Sequence, residues 1–210
     1  MAMRHTFTLL LCMAMLAHCV GAWNTVAEME NEVCMALTND AILLSATFTN
    51  NLHAAANSPF EEMRSEAHLL LAINAYQNFL NTMDEGWLHH EMLNTSNAVV
   101  AIGSHTDKWQ YWMARFLHAG AFASLNDYMS SYATATNALN GLTASSYTNA
   151  LSTVETCIMR KFEMTGIDIS AAFKVFAGMS AAELGLGESA TNYANQVPVP
   201  YRNTILEFIK

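Results

Sequence analysis

The chain has 210 residues, of which 52% are hydrophobic and 13% are charged, and its formal net charge is −9 at pH 7. An acidic chain lacks the lysines and arginines that neutralise phosphate, which argues against nucleic acid and anionic membranes as partners. Its length is sufficient for one sizeable hydrophobic core.

Residues 1–22 have the features of a secretory signal peptide. Arg4 supplies a basic start, the stretch from Phe7 to Leu16 is almost wholly apolar, and the small residue Ala22 suits cleavage before Trp23. A buried helix or a membrane anchor fits less well, because the apolar run is short and the cleavage site follows it directly. We therefore expect an exported protein with no membrane partner, whose charge becomes −10 because Arg4 leaves with the peptide.

Apolar residues recur at helical spacing along most of the remaining chain. The pattern predicts an all-α bundle of five or six helices over residues 23–184, then a linker and a short C-terminal helix over residues 185–210. The predicted segments are a helix from Val26 to Leu37, its continuation from Ala41 to Asn57, a helix started by Ser58 and Pro59 that ends near Met83, an ambiguous segment from Trp87 to Ile102, a long helix from Thr106 to about Ala133, a helix around Cys157, and a helix from Ile169 to Leu184.

The helix around Cys157 has a clear apolar stripe. Leu151, Val154, Ile158 and Phe162 recur at steps of three and four, which places them on one face. The sequence predicts that Gly141 breaks the chain before this helix, with Thr143 and Ser145 as capping candidates. Gly166 is a typical residue just beyond a helix end.

Two cysteines, Cys34 and Cys157, remain after Cys12 and Cys19 leave with the signal peptide. In an oxidising compartment the simplest outcome is one intrachain disulfide between the first helix and the Cys157 helix. Intermolecular pairing and two free thiols are the alternatives. Asn94 begins the one Asn-x-Ser/Thr sequence that could accept a glycan.

No residue pattern indicates an enzyme. The triplet His89, His90 and Glu91, with His105 and His118, could ligate a metal, but adjacent histidines point to different faces of a helix. We therefore expect an exposed polar cluster and no metal, cofactor or catalytic centre.

The carboxylates are more informative. They cluster at both ends of one predicted helix and on the next long helix, with few cations nearby. Carboxylates desolvated at an interface take up protons more readily on acidification. The candidate pH-sensing and dimer-interface residues are Glu61, Glu62, Asp84, Glu85 and Asp127, with Lys108 as the opposite charge; the alternative is an ordinary solvated acidic surface.

Three segments occur in an order known from one protein family. They are Ser58-Pro59-Phe60-Glu61-Glu62-Met63, the run from Ala121 to Asp127, and the run from Phe162 to Gly166 that follows Cys157. With the leader, they resemble the N-terminal domain of spider silk proteins (spidroins) over about residues 23–184. The segment from Met83 to His105 is longer than in that family, Lys174 stands where an acidic residue is expected, and no silk repeat follows.

The resemblance implies a methionine-rich five-helix domain that keeps a secreted polymer soluble and forms a homodimer at acidic pH. It also implies a cysteine in the first helix and another in the fourth, which Cys34 and Cys157 match in kind. We expect a non-enzymatic self-assembly domain on this basis. The alternative is a secreted helical carrier of a small apolar ligand, whose cavity the methionine and aromatic side chains would line. The aromatic run that could do so is Trp109, Tyr111, Trp112, Phe116 and Phe122, although aromatic residues at helical spacing usually belong to the core.

Overall fold

The structure is a computed structural model that describes Trp23, residues 25–147 and residues 152–209. The predicted signal peptide, residues 1–22, lies outside the described residues. The part of the chain that the structure describes is all-helical and contains no strand. Its eleven helices are α1 Val26–Thr38, α2 Asp40–Leu43, α3 Ala46–Ala55, α4 Glu61–Thr82, α5 Gly86–Ile102, α6 Trp109–Ser124, α7 Tyr128–Ala144, α8 Thr153–Lys161, α9 Ile169–Glu183, α10 Gly187–Ala194 and α11 Val199–Glu207.

The long helices pack in chain order around one core. Helix α5 folds back on α4, α6 lies against α5, and α7 contacts both α6 and α9. Helices α10 and α11 cover α9, while α1 contacts α8. Trp112, Phe116 and Phe173 are among the largest fully buried side chains, so the aromatic run of α6 contributes strongly to the core.

The turn between α4 and α5 is tight, as the Asp84-Glu85-Gly86 sequence predicts. Met83 ends α4 in the left-handed region with φ of 55°. The Asp84 carboxylate then accepts a hydrogen bond from the backbone N–H of Gly86 at 2.9 Å. This short connection places α4 and α5 side by side.

The prediction of five or six helices is wrong in number, and Asp127 shows one reason. The predicted helix from Thr106 to Ala133 is two helices, α6 and α7. Asn126 has a φ of 60°, and the Asp127 carboxylate accepts the backbone N–H of Ser130 at 3.1 Å. Asp127 therefore caps the start of α7 instead of lying inside one long helix.

The predicted break at Gly141 is also wrong. Gly141 lies inside α7, and the Cys157 helix begins much later, at Thr153. Its cap is Ser152, whose hydroxyl accepts the backbone N–H of Glu155 while the Glu155 carboxylate accepts the N–H of Ser152. This reciprocal pair replaces Thr143 and Ser145 as the start signal.

The helix that was expected to begin at Ser58 and Pro59 begins at Glu61. The Ser58 hydroxyl accepts the backbone N–H of Phe60 at 3.2 Å, which turns the chain just before the helix instead of capping it. Phe60 is left 59% exposed.

Much of residues 185–210 is helix and not linker. Helix α10 buries Ala190 and Ala194 completely, and α11 buries Ile205 against Gly178. Helix α10 was not predicted because its buried residues are alanines, which contribute little to hydrophobic periodicity in the sequence. No helix in the described residues has the length and apolar character needed to cross a bilayer.

Candidate functional site

A cavity of about 270 Å³ lies among helices α4, α5, α6 and α9. Its walls are mainly apolar and include several aromatic rings. The Phe116 ring centroid lies 5.1 Å from that of Phe176 and 6.1 Å from that of Phe162, and the Tyr76 centroid lies 5.4 Å from that of Phe162. Rings from four parts of the chain therefore face one space.

Gly120 on α6 also lines this cavity. A Cβ atom at Gly120 would lie 3.3 Å from Cζ of Phe176, which is tighter than ordinary contact. The missing side chain thus lets the Phe176 ring approach the α6 backbone.

Glu91 is the one fully enclosed carboxylate of the cavity wall. It is 2% exposed, and its Oε2 atom has no hydrogen-bond partner. Burial raises the pKa of Glu91 well above its ordinary value, because an apolar environment disfavours the charged form. The pKa of Tyr76 is raised as well, mainly by burial and to a smaller extent by the negative charge of Glu91.

The burial of Glu91 could be predicted from its position in the helical pattern of α5. The buried residues of that helix recur at steps of three and four, and Glu91 occupies one of their positions. They are Leu88, Glu91, Thr95, Ala98 and Ile102. A carboxylate in an apolar stripe is unusual enough to be a candidate functional residue.

Glu66 on α4 shows the same pattern. It stands among Met63, Leu70 and Ile73 in the buried register, and neither of its carboxylate oxygens has a well-formed hydrogen bond. Burial, and then the charge of Glu30, raise the pKa of Glu66 to about 8, and the Gln110 side chain offsets only part of this effect.

Cys34 and Cys157 lie together between α1 and α8, with a closest approach of 2.5 Å. Both are half-buried thiols here. Burial raises the pKa of Cys34 to about 12, and the neighbouring Cys157 and Glu66 act in the same direction. The sequence predicts this juxtaposition of the first helix and the Cys157 helix.

Three of the six predicted charged residues meet on one exposed surface, which we call the α4–α6 patch. Lys108 Nζ lies 2.9 Å from Glu62 Oε1, and His105 Nε2 lies 3.5 Å from Glu61 Oε2. Asp107 completes the patch, 3.9 Å from His105 Nδ1. The pair with Glu62 raises the pKa of Lys108.

The other predicted residues lie elsewhere. Asp84 and Glu85 are exposed at the opposite end of α4, a helix of 22 residues, which is a distance of about 33 Å at the usual rise per residue. The hydrogen bonds from Ser130 lower the pKa of Asp127. The carboxylates whose pKa is raised in the folded chain are Glu66, Glu91 and Glu155. None of them is among the predicted pH-sensing residues, and Glu91 is predicted only as a possible metal ligand.

Asn94 lies within α5 and is half-buried. Its side-chain amide donates to the His90 carbonyl at 2.9 Å, and its Oδ1 lies 3.2 Å from Nδ1 of His68. This geometry does not favour glycan addition, which is typical of an exposed loop. His89 and His90 are exposed while Glu91 is buried, and no cluster of potential metal ligands occurs among the described residues.

The chain matches no protein-family model, no curated protein and no solved structure.

Proposed function

We propose that this protein binds a small, mostly apolar ligand in the cavity lined by Tyr76, Glu91 and Phe176. The single observation that carries this proposal is an aromatic cavity with a buried, incompletely hydrogen-bonded carboxyl group in its wall. Ligand sites in proteins are concave, mostly apolar and fitted with a few polar groups that orient the ligand.

The size of the cavity limits the ligand. Its volume of about 270 Å³ is near the lower end of the range for small-molecule sites. An apolar cavity of about 150 Å³ is large enough to bind benzene. The cavity therefore suits one ring with a short substituent, or a branched chain of similar size.

Thermal unfolding with small aromatic ligands tests this function. A ligand that binds only the folded chain raises the unfolding temperature as its concentration increases. Gly120→Val places a branched side chain against Phe176 and should abolish the response, while Gly187→Ala on α10 should leave it intact, since the nearest atom to a Cβ there is 3.8 Å away. A panel of single-ring ligands with no effect at millimolar concentration would refute the proposal.

Self-association at acidic pH is a second candidate function, and the α4–α6 patch favours it. The patch combines Glu61, Glu62 and Asp107 with Lys108, and the exposed Phe60 lies in the groove beside it. A second copy could exchange the Glu62–Lys108 pair for the same pair across an interface. The acidic chain would keep monomers apart at neutral pH.

The direction of the pH effect follows from proton linkage. Burial at an interface favours the protonated form of a carboxylate, so a dimer binds more protons than two monomers. The dimer therefore gains stability as pH falls and loses it as pH rises. Sedimentation at pH 7.5 and pH 5.5, with and without high salt, measures this directly, and a monomer under all four conditions would exclude the switch.

We further propose export through the N-terminal segment, with a Cys34–Cys157 disulfide formed outside the cytoplasm. The two cysteines approach to 2.5 Å, and an oxidising compartment would convert such a pair of thiols to a disulfide. The bond would tie α1 to α8, which contact each other already.

A further inference from the structure

The ionisable residues around the cavity have one sign of charge. Glu91 and Glu183 line it together with Tyr76 and Tyr128, and none of the described residues around it is a lysine, an arginine or a histidine. An anionic ligand would meet two carboxyl groups and no cation. A cationic group would meet a potential counter-ion in the wall.

The Glu91 carboxyl group lacks a hydrogen-bond donor for one of its oxygens. A buried polar atom with no hydrogen bond destabilises the fold, and a charged one destabilises it more. Its Oε2 is such an atom and is enclosed in the wall, so rotation of the carboxyl group toward the cavity would let a donor group on a ligand satisfy it. An ammonium group offers up to three N–H donors and a positive charge.

The remaining wall suits the rest of such a molecule. Phe116, Phe162 and Phe176 supply apolar surface and ring faces, and ring faces attract cations by cation–π interaction. The volume of about 270 Å³ holds one ring and a short chain.

We propose that the ligand is a small primary amine with an aromatic ring, whose ammonium group pairs with the Glu91 carboxylate while the ring packs against Phe116 and Phe176. This inference rests on the proposed small-molecule function and adds the chemical class of the ligand. When the free amine enters, the O–H bond of the carboxyl group breaks and an N–H bond forms, so the net charge of the complex does not change.

The test compares two ligands of nearly equal shape by isothermal titration calorimetry on the purified full chain. The probes are 2-phenylethylamine and 2-phenylethanol, which differ in the terminal amine or hydroxyl group. A hydrogen bond to a charged group contributes about 1.5–3 kcal/mol and a neutral one about 0.5–1.5 kcal/mol, so the amine should bind about 5- to 12-fold more tightly than the alcohol. Glu91→Gln should remove this preference, and Glu188→Gln, an exposed acid on α10, should preserve it.

The outcomes separate the two proposals. Equal binding of both probes would overturn the amine inference and leave the small-molecule function standing. An amine preference that survives Glu91→Gln would overturn the role of Glu91 and with it the inference. Failure of both probes to bind would overturn the inference and, with the wider ligand panel, the proposed function. If Glu91→Gln does not fold, the ratio of the two affinities in the wild-type protein still decides between an amine and a neutral ligand.

Discussion

The indole ring of Trp112 packs directly against Gly141, so that α6 and α7 approach closely at this point. A Cβ atom at Gly141 would lie 3.0 Å from Cη2 of Trp112 and 3.4 Å from Cζ3. Trp112 is 2% exposed, and its Nε1 donates to the Thr106 carbonyl at 2.7 Å. Burial and this hydrogen bond therefore fix the ring, and moving it away from position 141 would cost free energy.

Gly141→Ala should consequently lower the free energy of unfolding. Glycine to alanine inside a helix normally stabilises it by about 1 kcal/mol. Overpacking a fixed ring costs about 1–3 kcal/mol, which exceeds that gain. Urea denaturation of Gly141→Ala beside Gly187→Ala, where a Cβ meets only ordinary contacts, measures the difference. A stabilised Gly141→Ala protein would contradict the close packing.

Gly141 also shows why the predicted break before the Cys157 helix was wrong. Glycine is read as a break because it is flexible, but the same residue permits a close approach of two helices, and only the facing Trp112 tells the two roles apart. The helical fold class and the proximity of Cys34 and Cys157 were predictable, since apolar periodicity and cysteine count carry that information. The number of helices was not, because caps such as Asp127 depend on local geometry.

The buried acid of the candidate site was missed for a related reason. The pH-sensing residues were predicted from clusters of carboxylates, and such clusters, Glu61 and Glu62 among them, lie at the surface. The buried acids, Glu66 and Glu91, lie beside these exposed groups in sequence, Glu66 after Glu61 and Glu62 and Glu91 after His89 and His90, so their positions in the apolar registers were overlooked. Their role depends on what surrounds them in the fold, although a carboxylate at a core position is itself a signal that the sequence contains.

Glu66 should make the stability of the fold depend on pH. Its pKa is raised from 4.5 to about 8 in the folded chain, so the folded state binds more protons than the unfolded state between these values. The contribution of Glu66 to stability is therefore complete at low pH and is lost as pH rises toward 8. At about 1.4 kcal/mol per pKa unit the upper limit of this loss is several kcal/mol.

Glu66→Gln removes the titrating group and keeps the shape. We expect the variant to match the wild type below about pH 4.5, to exceed its unfolding free energy increasingly from there to about pH 8, and to keep a constant difference above that pH. Chemical denaturation at each pH gives both curves, and Glu207→Gln, an exposed acid on α11, serves as the control. Parallel curves for Glu66→Gln and the wild type would show that Glu66 does not titrate in this range.

The reciprocal hydrogen bonds between Ser152 and Glu155 should anchor the start of α8. The Ser152 hydroxyl accepts the Glu155 backbone N–H at 3.2 Å, and the Glu155 carboxylate accepts the Ser152 N–H at 2.7 Å. Ser152→Ala removes the first bond and should cost about 0.5–2 kcal/mol of stability. Ser152→Thr, which retains a hydroxyl acceptor, should recover most of it in the same thermal unfolding measurement. Equal losses in the two variants would rule out the capping role.

Lys108 should contribute little to folding and more to self-association. Its ion pair with Glu62 is exposed, and such pairs are worth about 0–1 kcal/mol. Lys108→Gln leaves the α4–α6 patch wholly acidic apart from His105, so two copies should repel each other more strongly. Sedimentation at pH 5.5 should then show a smaller dimer fraction, with Arg202→Gln on α11 as the charge-matched control. The same loss in both variants would indicate a general charge effect and not a role of the patch.

The Cys34–Cys157 pair should govern stability only under oxidising conditions. A disulfide between α1 and α8 closes a long loop, and removal of such a bond typically costs about 2–5 kcal/mol, mainly through the freedom gained by the unfolded chain. Cys34→Ser should therefore unfold at lower denaturant than the oxidised wild-type protein, and the two should converge when a reductant is added, since both then have an open loop. Peptide mapping without reduction should recover the peptides of Cys34 and Cys157 as one cross-linked species from the wild type. Recovery of two free thiols, or of a cross-link only between two chains, would exclude the intrachain bond and leave the contact of α1 with α8 to packing alone.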